Sequence, residues 1–386
     1  MNATEILTKL VSFPVLGGES NYSIAQWIED YLTEHGVTFK NVENRDEKKR
    51  SIHCRIGPAV DGGVILSGHT DVVPVEGQPW NTDPFVLTDG GDGKLYGRGS
   101  CDMKGFIACC LAVLPAMTKA DLKKPIYFAF SYDEEIGCLA APDLIADINE
   151  HYTEKPKYAI IGEPSMLQPI VGQKGIVIYK TTVNGSAGHS SGIRTEVSAI
   201  HESSRMIMWL ENKMNELIES GHIDDRFKPP HTTIHSGIFE KSGIAANVVS
   251  DHASFYWDVR VIPMDKGADI RKEFEAYCAS LMEEKRKHFP DFKIETVEAH
   301  SDVPALDTPE HLDVVTFIRE LSRIEKLNTV AYAAEAGQFA EGGFESVICG
   351  PGDIAQAHRA NEFIEIDQLN EGVEMIQRLV MSFSKE

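Results

Sequence analysis

The chain has 386 residues, of which 42% are hydrophobic and 25% charged, a composition that is ordinary for a globular protein and excludes a disordered or fibrous one. This length exceeds that of one typical domain and predicts at least two compact units. The 59 acidic side chains against 37 basic ones give a net charge of −22. This charge disfavours a general nucleic-acid binder, because that affinity depends on Lys and Arg.

The cysteines and the apolar segments bear on the cellular compartment. The seven cysteines contain no Cys-x-x-Cys pair and have no regular spacing, which predicts reduced thiols. Residues 1–15 carry apolar side chains at helical spacing without a basic start, so we expect no signal peptide. The longest apolar run, residues 106–114, is too short to cross a bilayer. These features together predict a cytoplasmic protein without a membrane segment.

Helical and extended patterns alternate along the first part of the chain. Helical spacing of apolar residues predicts helices at residues 24–32 and 105–114. Short runs of apolar, aromatic or β-branched residues predict strands at residues 51–56, 64–67, 126–131 and 158–161. Strands that alternate with helices predict an α/β sheet with helices on both faces.

The middle of the chain predicts a different unit. Its predicted elements, in order, are a strand at 175–183, a helix at 195–219, strands at 231–238 and 252–261, a helix at 270–287 and a strand at 292–297. This βαββαβ order is typical of a small α+β unit. A strand at 346–349 and a helix at 368–383 then complete the α/β pattern. We therefore predict one α/β domain, residues 1–175 and 301–386, interrupted by an inserted α+β domain at 176–300.

Polar side chains follow the predicted strands of the first domain. They are His69 and Asp71, then the run 133–135, then Glu163, and finally His358. Ligands of open α/β sheets bind outside the carboxyl ends of the strands, so we expect these groups to converge. Histidines with several carboxylates suit zinc, cobalt or manganese better than a thiolate site does. The alternative for any single acidic residue is a solvated surface charge.

Five segments of the chain match a known family. They are Ser67-Gly68-His69-Thr70-Asp71, the glycine-punctuated run from Gly97 through Asp102 to Gly105, Asp133-Glu134-Glu135, Gly162-Glu163-Pro164 and Ala357-His358. In this order they resemble the co-catalytic zinc aminoacylase and carboxypeptidase (M20) family. The resemblance implies a zinc-peptidase-like mixed sheet, with the inserted domain serving as a lid and dimerisation domain.

The resemblance also implies a metal centre with two divalent ions, zinc with cobalt able to substitute. Asp102 would bridge the two ions. His69 and Glu163 would complete one site, and Glu135 and His358 the other. Two dications would offset the three carboxylates and a bridging hydroxide, which makes a buried cluster nearly neutral.

Further residues receive roles from the same resemblance. Glu134 would be the general base, and Asp71 would orient His69 through its second ring nitrogen. His189 would reach the partner subunit's site and steady the oxyanion, and Asn247 with Arg260 would hold a substrate carboxylate. For His189 the alternative role is a helix cap, and for Arg260 it is pairing with a neighbouring acid. The peptide bond after Asp102 is expected to be cis.

The segments 333–339 and 349–362 resemble most the acetylornithine deacetylases of this family and lack the Ser-Asp-Gly-Arg stretch usual in its desuccinylases. This resemblance implies hydrolysis of N2-acetylornithine to ornithine and acetate, as in arginine biosynthesis, with Glu335 near the substrate's ammonium group. Succinyl-diaminopimelate desuccinylase or a broad N-acyl amino acid amidohydrolase is the alternative within the family. The expected partners are a small N-acyl amino acid and a second copy of the chain, without nucleic acid or membrane.

Two hypotheses belong to other classes. Gly188-His189-Ser190-Ser191-Gly192 fits the Gly-x-Ser-x-Gly pattern of serine hydrolases, with Ser190 as nucleophile. This motif opens the inserted domain rather than following a strand of the main sheet, and it leaves the acidic residues unexplained. The other hypothesis is a metal-binding protein without catalysis. Glu134 argues against it, because such a protein needs no additional carboxylate beside Glu135.

Overall fold

The computed structural model describes residues 1–240 and 242–385. Its strands are β1 (Phe39–Asn44), β2 (Lys49–Ile56), β3 (Val64–His69), β4 (Thr88–Asp89), β5 (Lys94–Tyr96), β6 (Ile126–Ser131), β7 (Tyr158–Pro164), β8 (Ile170–Gln173), β9 (Gly175–Asn184), β10 (Thr233–Phe239), β11 (His252–Val261), β12 (Lys293–Val303), β13 (Leu306–Asp307), β14 (Asn328–Val330), β15 (Glu345–Gly350) and β16 (Phe363–Glu365). Its α-helices are α1 (Ala3–Val11), α2 (Tyr22–Glu34), α3 (Lys104–Met117), α4 (Ala141–His151), α5 (Ala199–Glu219), α6 (Gly267–Arg286), α7 (Asp313–Ser322), α8 (Ala336–Glu341) and α9 (Ile366–Phe383). Short 3₁₀ helices span Ser190–Thr195 and Ile354–Gln356.

The chain divides into two compact units. Unit 1 consists of Met1–Gly172, Leu306–Thr329 and Ala334–Glu386, and unit 2 consists of Gln173–Ala305 with Val330–Ala333. Each unit has its own hydrophobic core, since the two clusters of buried apolar residues draw almost entirely on separate parts of the chain.

Unit 1 is built on a mixed nine-stranded sheet in the order β1-β2-β6-β3-β7-β15-β8-β13, with β14 beside β8. The four central strands β6, β3, β7 and β15 are mutually parallel, whereas β1, β2 and β8 run antiparallel to their neighbours. This arrangement confirms the predicted mixed α/β sheet. A separate small sheet joins β16, β5 and β4.

Helices cover both faces of the main sheet. Val64, Leu66 and Phe128 pack into one core cluster with residues of α1, α2, α3, α7 and α9. Ile65 and Tyr127 are equally buried but lie outside that cluster among the described residues. Successive strand residues point to opposite faces, so these two face the other side. There α4 and α8 contact each other and the neighbouring strands.

The third helix extends further than its sequence predicted. The pattern predicted a helix that ends before Pro115, because proline cannot donate the backbone hydrogen bond of a helix interior. In the structure α3 runs from Lys104 to Met117 with Pro115 inside it. Eleven of the fourteen residues of this helix are buried, Val113, Leu114 and Met117 among them. Packing on both sides of Pro115 therefore outweighs the lost hydrogen bond.

Unit 2 contains a four-stranded antiparallel sheet in the order β10-β11-β9-β12. Burial alternates strictly along β9, and its inward side chains pack with those of α5 and α6. The helix predicted at 195–219 begins at Ala199 instead. Ser198 caps it, with Oγ accepting the N–H of His201 at 3.3 Å. A separate 3₁₀ helix, Ser190–Thr195, ends three residues before Ser198.

The predictions about cysteines and membrane segments can be compared with the fold directly. All seven cysteines are free thiols and all are buried, which agrees with the prediction of reduced thiols. None of the helices in the described part of the chain combines the length and the apolar character that a membrane crossing requires.

Candidate metal centre

The predicted site residues of unit 1 converge at one edge of the main sheet. His69 is the last residue of β3, and Glu163 lies near the end of β7. Glu134 and Glu135 follow β6 by three and four residues. Because β6, β3 and β7 are adjacent and parallel, their carboxyl ends meet at the same edge. The strand order thus explains why residues nearly 100 positions apart face one another.

Asp102 lies between the two predicted histidine ligands. Its Oδ1 is 3.2 Å from Nε2 of His69, and its Oδ2 is 3.5 Å from Nε2 of His358. Glu135 approaches the second histidine, with Oε2 2.9 Å from Nε2 of His358. Glu163 approaches the first, with Oε1 3.7 Å from Nε2 of His69. The contacts thus form two groups that share Asp102.

Two overlapping sets of side chains are close enough to hold an ion. Ligand atoms of His69, Asp102 and Glu135 all lie within 4.8 Å of one another, and so do those of His69, Glu134 and Glu163. The second set includes Glu134, which the sequence assigned to proton transfer rather than to metal binding. Its position therefore permits either role.

The chemistry of these donors fits divalent cations. Oε1 of Glu163 has no hydrogen-bond partner among the described residues although the side chain is buried. Burial, reinforced by the Asp102 charge, raises the pKa of Glu163 well above its usual range and that of Glu135 to about 7. Burial also raises the pKa of Glu134. A cation bound among these carboxylates would relieve their mutual repulsion and the cost of their burial.

The site is buried on one side and open on the other. The side chains of Asp102 and Glu135 are 8% and 4% exposed, whereas that of His358 is 59% exposed. Within unit 1, His358 is therefore the exposed member of the cluster.

The loop that carries Asp102 has an unusual backbone. The Asp102–Met103 peptide bond is cis, as the family resemblance implied. Gly99 has a φ of +79°, and an added Cβ would lie 2.8 Å from a methyl group of Val72. Only glycine fits this position without strain. The N–H of Asp102 donates to Oε1 of Glu362 at 3.0 Å.

Asp71 contacts both His69 and the turn after β6. Nδ1 of His69 lies 3.0 Å from the backbone carbonyl oxygen of Asp71 and 3.5 Å from its Oδ1. The carboxylate accepts the backbone N–H groups of Glu134 and Glu135, at 3.2 and 3.1 Å. The nearer partner of the histidine ring is thus the carbonyl, and the carboxylate holds the turn that carries two site residues.

Sequence reasoning missed a buried ion pair at the same turn. Asp133 adopts a φ of +56°, and its Oδ2 lies 2.6 Å from Nζ of Lys49. Its Oδ1 accepts the N–H of Gly18 at 2.8 Å. Both charged side chains are less than 5% exposed. The only sequence signal was that Asp133 belongs to the acidic triplet, since Lys49 comes from a distant part of the chain.

Two other buried groups lie beside Glu134 and His69. Sγ of Cys138 lies 3.4 Å from Oε1 of Glu134, so this thiol can donate to the predicted base. Glu335, the predicted contact of the substrate ammonium, is 1% exposed, and its Oε2 lies 3.3 Å from Oγ of Ser67. Burial raises the pKa of Glu335. The assignment of Glu335 to the substrate stays a prediction.

The predicted histidine of the inserted domain lies in unit 2. His189 is exposed and precedes the 3₁₀ helix Ser190–Thr195 as its N-cap. Its Nδ1 accepts the N–H of Ser191 at 3.2 Å and lies 2.8 Å from the hydroxyl oxygen of the same residue. A neutral ring that accepts at Nδ1 carries its proton on Nε2. The cap therefore leaves His189 an outward hydrogen-bond donor.

Asn247 and Arg260 are also in unit 2. Asn247 is exposed, and its carbonyl oxygen accepts the N–H of Ser190 at 3.0 Å. Arg260 lies near the end of β11, with Nε 3.4 Å from Oδ2 of Asp258. A second cation is near, because burial, together with the Arg260 charge, lowers the pKa of Lys174 to about 8. Arg260 thus has an acid and a second cation in its surroundings.

The Gly-x-Ser-x-Gly motif does not form the arrangement that a serine nucleophile needs. Ser190 begins a short 3₁₀ helix of unit 2 rather than a strand-to-helix turn of the main sheet. The hydrogen bonds of the adjacent His189 go to Ser191 instead. The geometry therefore disfavours a serine hydrolase.

Comparison with known proteins identifies the family. The sequence pattern of the peptidase family M20/M25/M40 matches residues 65–382, which is most of the chain. The chain belongs to this family. As a member of this family, it is a hydrolase. The matched residues, 65–382, include every predicted metal ligand.

Two relatives of this chain are both named acetylornithine deacetylase. The acetylornithine deacetylase of Aliivibrio salmonicida (strain LFI1238) is 30% identical over 359 residues, which cover 93% of this chain and 90% of that protein. The acetylornithine deacetylase of Proteus mirabilis (strain HI4320) is 32% identical over 389 residues, which cover 98% and 96%.

Solved structures of the M20 family share the fold. The metallo-carboxypeptidase Sso-CP2 from Sulfolobus solfataricus superposes with a TM-score of 0.77 at 16% identity, covering 100% of this chain and 99% of that one. The Bacillus subtilis YXEP protein, a dinuclear metal-binding peptidase, gives a TM-score of 0.64 at 14% identity, with coverage of 99% and 97%. These low identities establish the fold alone.

Proposed function

We propose that this chain is a cytoplasmic, homodimeric, two-metal amidohydrolase that removes the acetyl group from N2-acetylornithine to give ornithine and acetate. The observation that carries the proposal is the cluster of two histidines and three glutamates around Asp102, with contacts that fall into two groups. YXEP, which shares the fold, is described as a dinuclear metal-binding peptidase, and this description supports a dinuclear centre.

These contacts support the proposed set of metal ligands. His69 and Glu163 would hold one ion, Glu135 and His358 the other, and Asp102 both. Zinc suits the mixture of imidazole and carboxylate ligands, and cobalt is an acceptable substitute. Bound there, the ions would polarise the substrate carbonyl and make water more acidic.

Glu134 is the proposed general base. Its carboxylate is beside the cluster, with Oε2 3.9 Å from Nε2 of His69, while its backbone is held by Asp71. Burial raises the pKa of Glu134, which makes the carboxylate a stronger proton acceptor than an exposed glutamate. It would take a proton from the attacking water and pass it to the leaving amine.

His189 is the proposed donor to the oxyanion. Its Nε2–H is free to point outward, since Nδ1 is occupied by Ser191. A hydrogen bond aimed at the developing negative charge stabilises the transition state. We assign this contact to the partner subunit's site in a homodimer formed through residues 176–300.

The substrate proposal depends on the relatives and on the charges in unit 2. Both deacetylases reported above match nearly the full length of this chain. Arg260, with Asn247, would bind the α-carboxylate, since the Arg260 side chain is 40% exposed and lies 3.4 Å from its partner Asp258. Glu335 would face the substrate's δ-ammonium, and arginine biosynthesis is the expected pathway.

The test is a substrate panel with the metal-loaded protein. N2-acetylornithine should be hydrolysed faster than other N-acetyl, N-succinyl or N-formyl amino acids, and a chelator should abolish the activity. Ser190→Ala should retain it. Preference for an N-succinyl substrate would replace the proposal with a desuccinylase, and chelator-resistant activity that Ser190→Ala abolishes would replace it with a serine hydrolase.

A further inference from the structure

The carboxylate of Glu362 accepts hydrogen bonds from the loop of residues 98–102, which carries Asp102. Its side chain is 1% exposed, and the donors to its carboxylate in the described part of the chain lie within residues 98–102. Oε1 accepts the N–H groups of Cys101 and Asp102, at 2.9 and 3.0 Å. Oε2 accepts the N–H of Gly99 at 3.0 Å and Nη1 of Arg98 at 2.8 Å. One carboxylate thus satisfies three backbone donors and one guanidinium group.

The loop depends on this acceptor, because its backbone is turn-like and precedes the helix α3. The Met103 N-cap of that helix makes no side-chain capping hydrogen bond. Buried N–H groups are costly when they lack an acceptor. With Glu362 replaced, the N–H groups of Gly99, Cys101 and Asp102 would need new partners, and the loop would shift to find them.

Glu362 also belongs to the segment that carries a predicted ligand, since it follows His358 by four residues. Its own carbonyl oxygen accepts the N–H of Gly97 at 2.9 Å. The intervening Asn361 accepts the N–H of Asn81 through Oδ1 at 2.8 Å. The segment is therefore fixed at several points, and the Glu362 carboxylate joins it to the loop with Asp102.

We propose that Glu362 is a positioning residue of the metal centre, which sets the two oxygens of Asp102 at the distances required to face His69 and His358 together. The inference rests on the proposed metal centre. It is distinct from ligation, because both Glu362 oxygens already accept hydrogen bonds from residues 98–102. Glu362 would act on the ions only through Asp102.

The test measures metal affinity rather than activity alone. In Glu362→Gln the side chain keeps its size, but one carboxylate oxygen becomes an NH₂ group. This donor would then face other donors, either the backbone N–H groups or the guanidinium group of Arg98. We expect the variant to bind zinc or cobalt about 10- to 100-fold more weakly, the usual effect of removing an outer partner of a metal ligand. Titration of metal-free protein against a chromogenic chelator, well below its unfolding temperature, gives the dissociation constants.

Glu154→Gln is the matched control, since Glu154 is also buried and accepts hydrogen bonds from Arg55 and Tyr127. It should leave metal affinity unchanged even where it lowers the unfolding temperature. Hydrogen exchange of residues 97–103 in metal-free protein should rise in Glu362→Gln and not in the control.

The outcomes separate the inference from the proposed function. Unchanged metal affinity in folded Glu362→Gln would overturn the inference while leaving the metal centre intact. Wild-type protein that binds neither zinc nor cobalt would instead overturn the proposed function. Should Glu362→Gln fail to fold, Glu362→Asp keeps both oxygens but withdraws them by one methylene group. Wild-type affinity in that variant would contradict the positioning role.

Discussion

The carboxylate of Asp71 accepts a hydrogen bond from the backbone N–H group of Glu134, with Oδ1 3.2 Å from the nitrogen. Its other oxygen accepts the N–H of Glu135 at 3.1 Å. In Asp71→Asn one of these oxygens becomes an NH₂ group that faces a donor. We expect turnover to fall about 10- to 100-fold, as for other partners behind a metal ligand, with most of the bound metal retained. Metal analysis and steady-state kinetics of the same preparation check both parts.

Asp102→Ala is the comparison for this variant. Asp102 lies between both histidines, so its removal should reduce metal content far more than Asp71→Asn does. Equal metal content in Asp102→Ala and the wild type would contradict the assignment of Asp102 as the shared ligand.

Much of this site could be predicted from the sequence because its residues follow strands. His69, Glu135 and Glu163 each end or follow a short apolar run, and parallel strand order alone brings them together. The partners that hold them could not be predicted in the same way. Glu362 and Lys49 lie far along the chain from the groups they contact, and their only signal is charge, which is typical of surface residues as well.

Glu134→Gln should retain both metals but lower kcat about 10²- to 10⁴-fold, the usual contribution of a positioned general base. Its Oε2 lies 3.9 Å from Nε2 of His69 and its Oε1 lies 3.4 Å from Sγ of Cys138, and an amide of the same size should fit in this place. The measurement pairs kcat with metal content. Glu163→Gln is the control that should lose metal, and loss of metal from Glu134→Gln would identify Glu134 as a ligand instead.

The limits of helices were less predictable than their existence, and the reason is packing. Pro115 predicted that α3 ends before it. In the structure the helix continues to Met117, because residues on both sides of the proline are buried. The helix α5 begins at Ala199, later than its apolar pattern indicated, because the Ser198 cap fixes the first turn. Apolar spacing identifies which face of a helix is buried, whereas caps and neighbouring elements decide where the helix begins and ends.

Arg260→Met should raise KM for N2-acetylornithine at least about tenfold, the loss of roughly 1.4 kcal/mol of binding free energy. Arg260 is 40% exposed, and among the described residues its ion pair is with Asp258 at 3.4 Å, so a substrate carboxylate has access to it. An esterified substrate should be affected much less, because it lacks the charge that Arg260 would bind. Equal losses for free and esterified substrates would show that Arg260 supports unit 2 rather than the carboxylate.

The last prediction concerns where His189 acts. Its ring is exposed, its Nδ1 accepts the N–H of Ser191, and its proposed role is in the partner subunit's site. His189→Ala and Glu134→Gln homodimers should each be nearly inactive, for different reasons. In a mixed dimer, the subunit with wild-type Glu134 receives wild-type His189 from its partner. One of the two sites is then complete.

Mixing the two inactive variants tests this directly. With equal amounts and free exchange, about half of the dimers are mixed, so activity should recover to about a quarter of the wild-type value per chain. Subunit exchange is verified with two differently tagged chains. Glu134→Gln taken through the same mixing procedure alone gives the baseline activity. If exchange is complete and activity stays at that baseline, His189 acts within its own chain or outside the reaction, because only action across the dimer can restore a complete site.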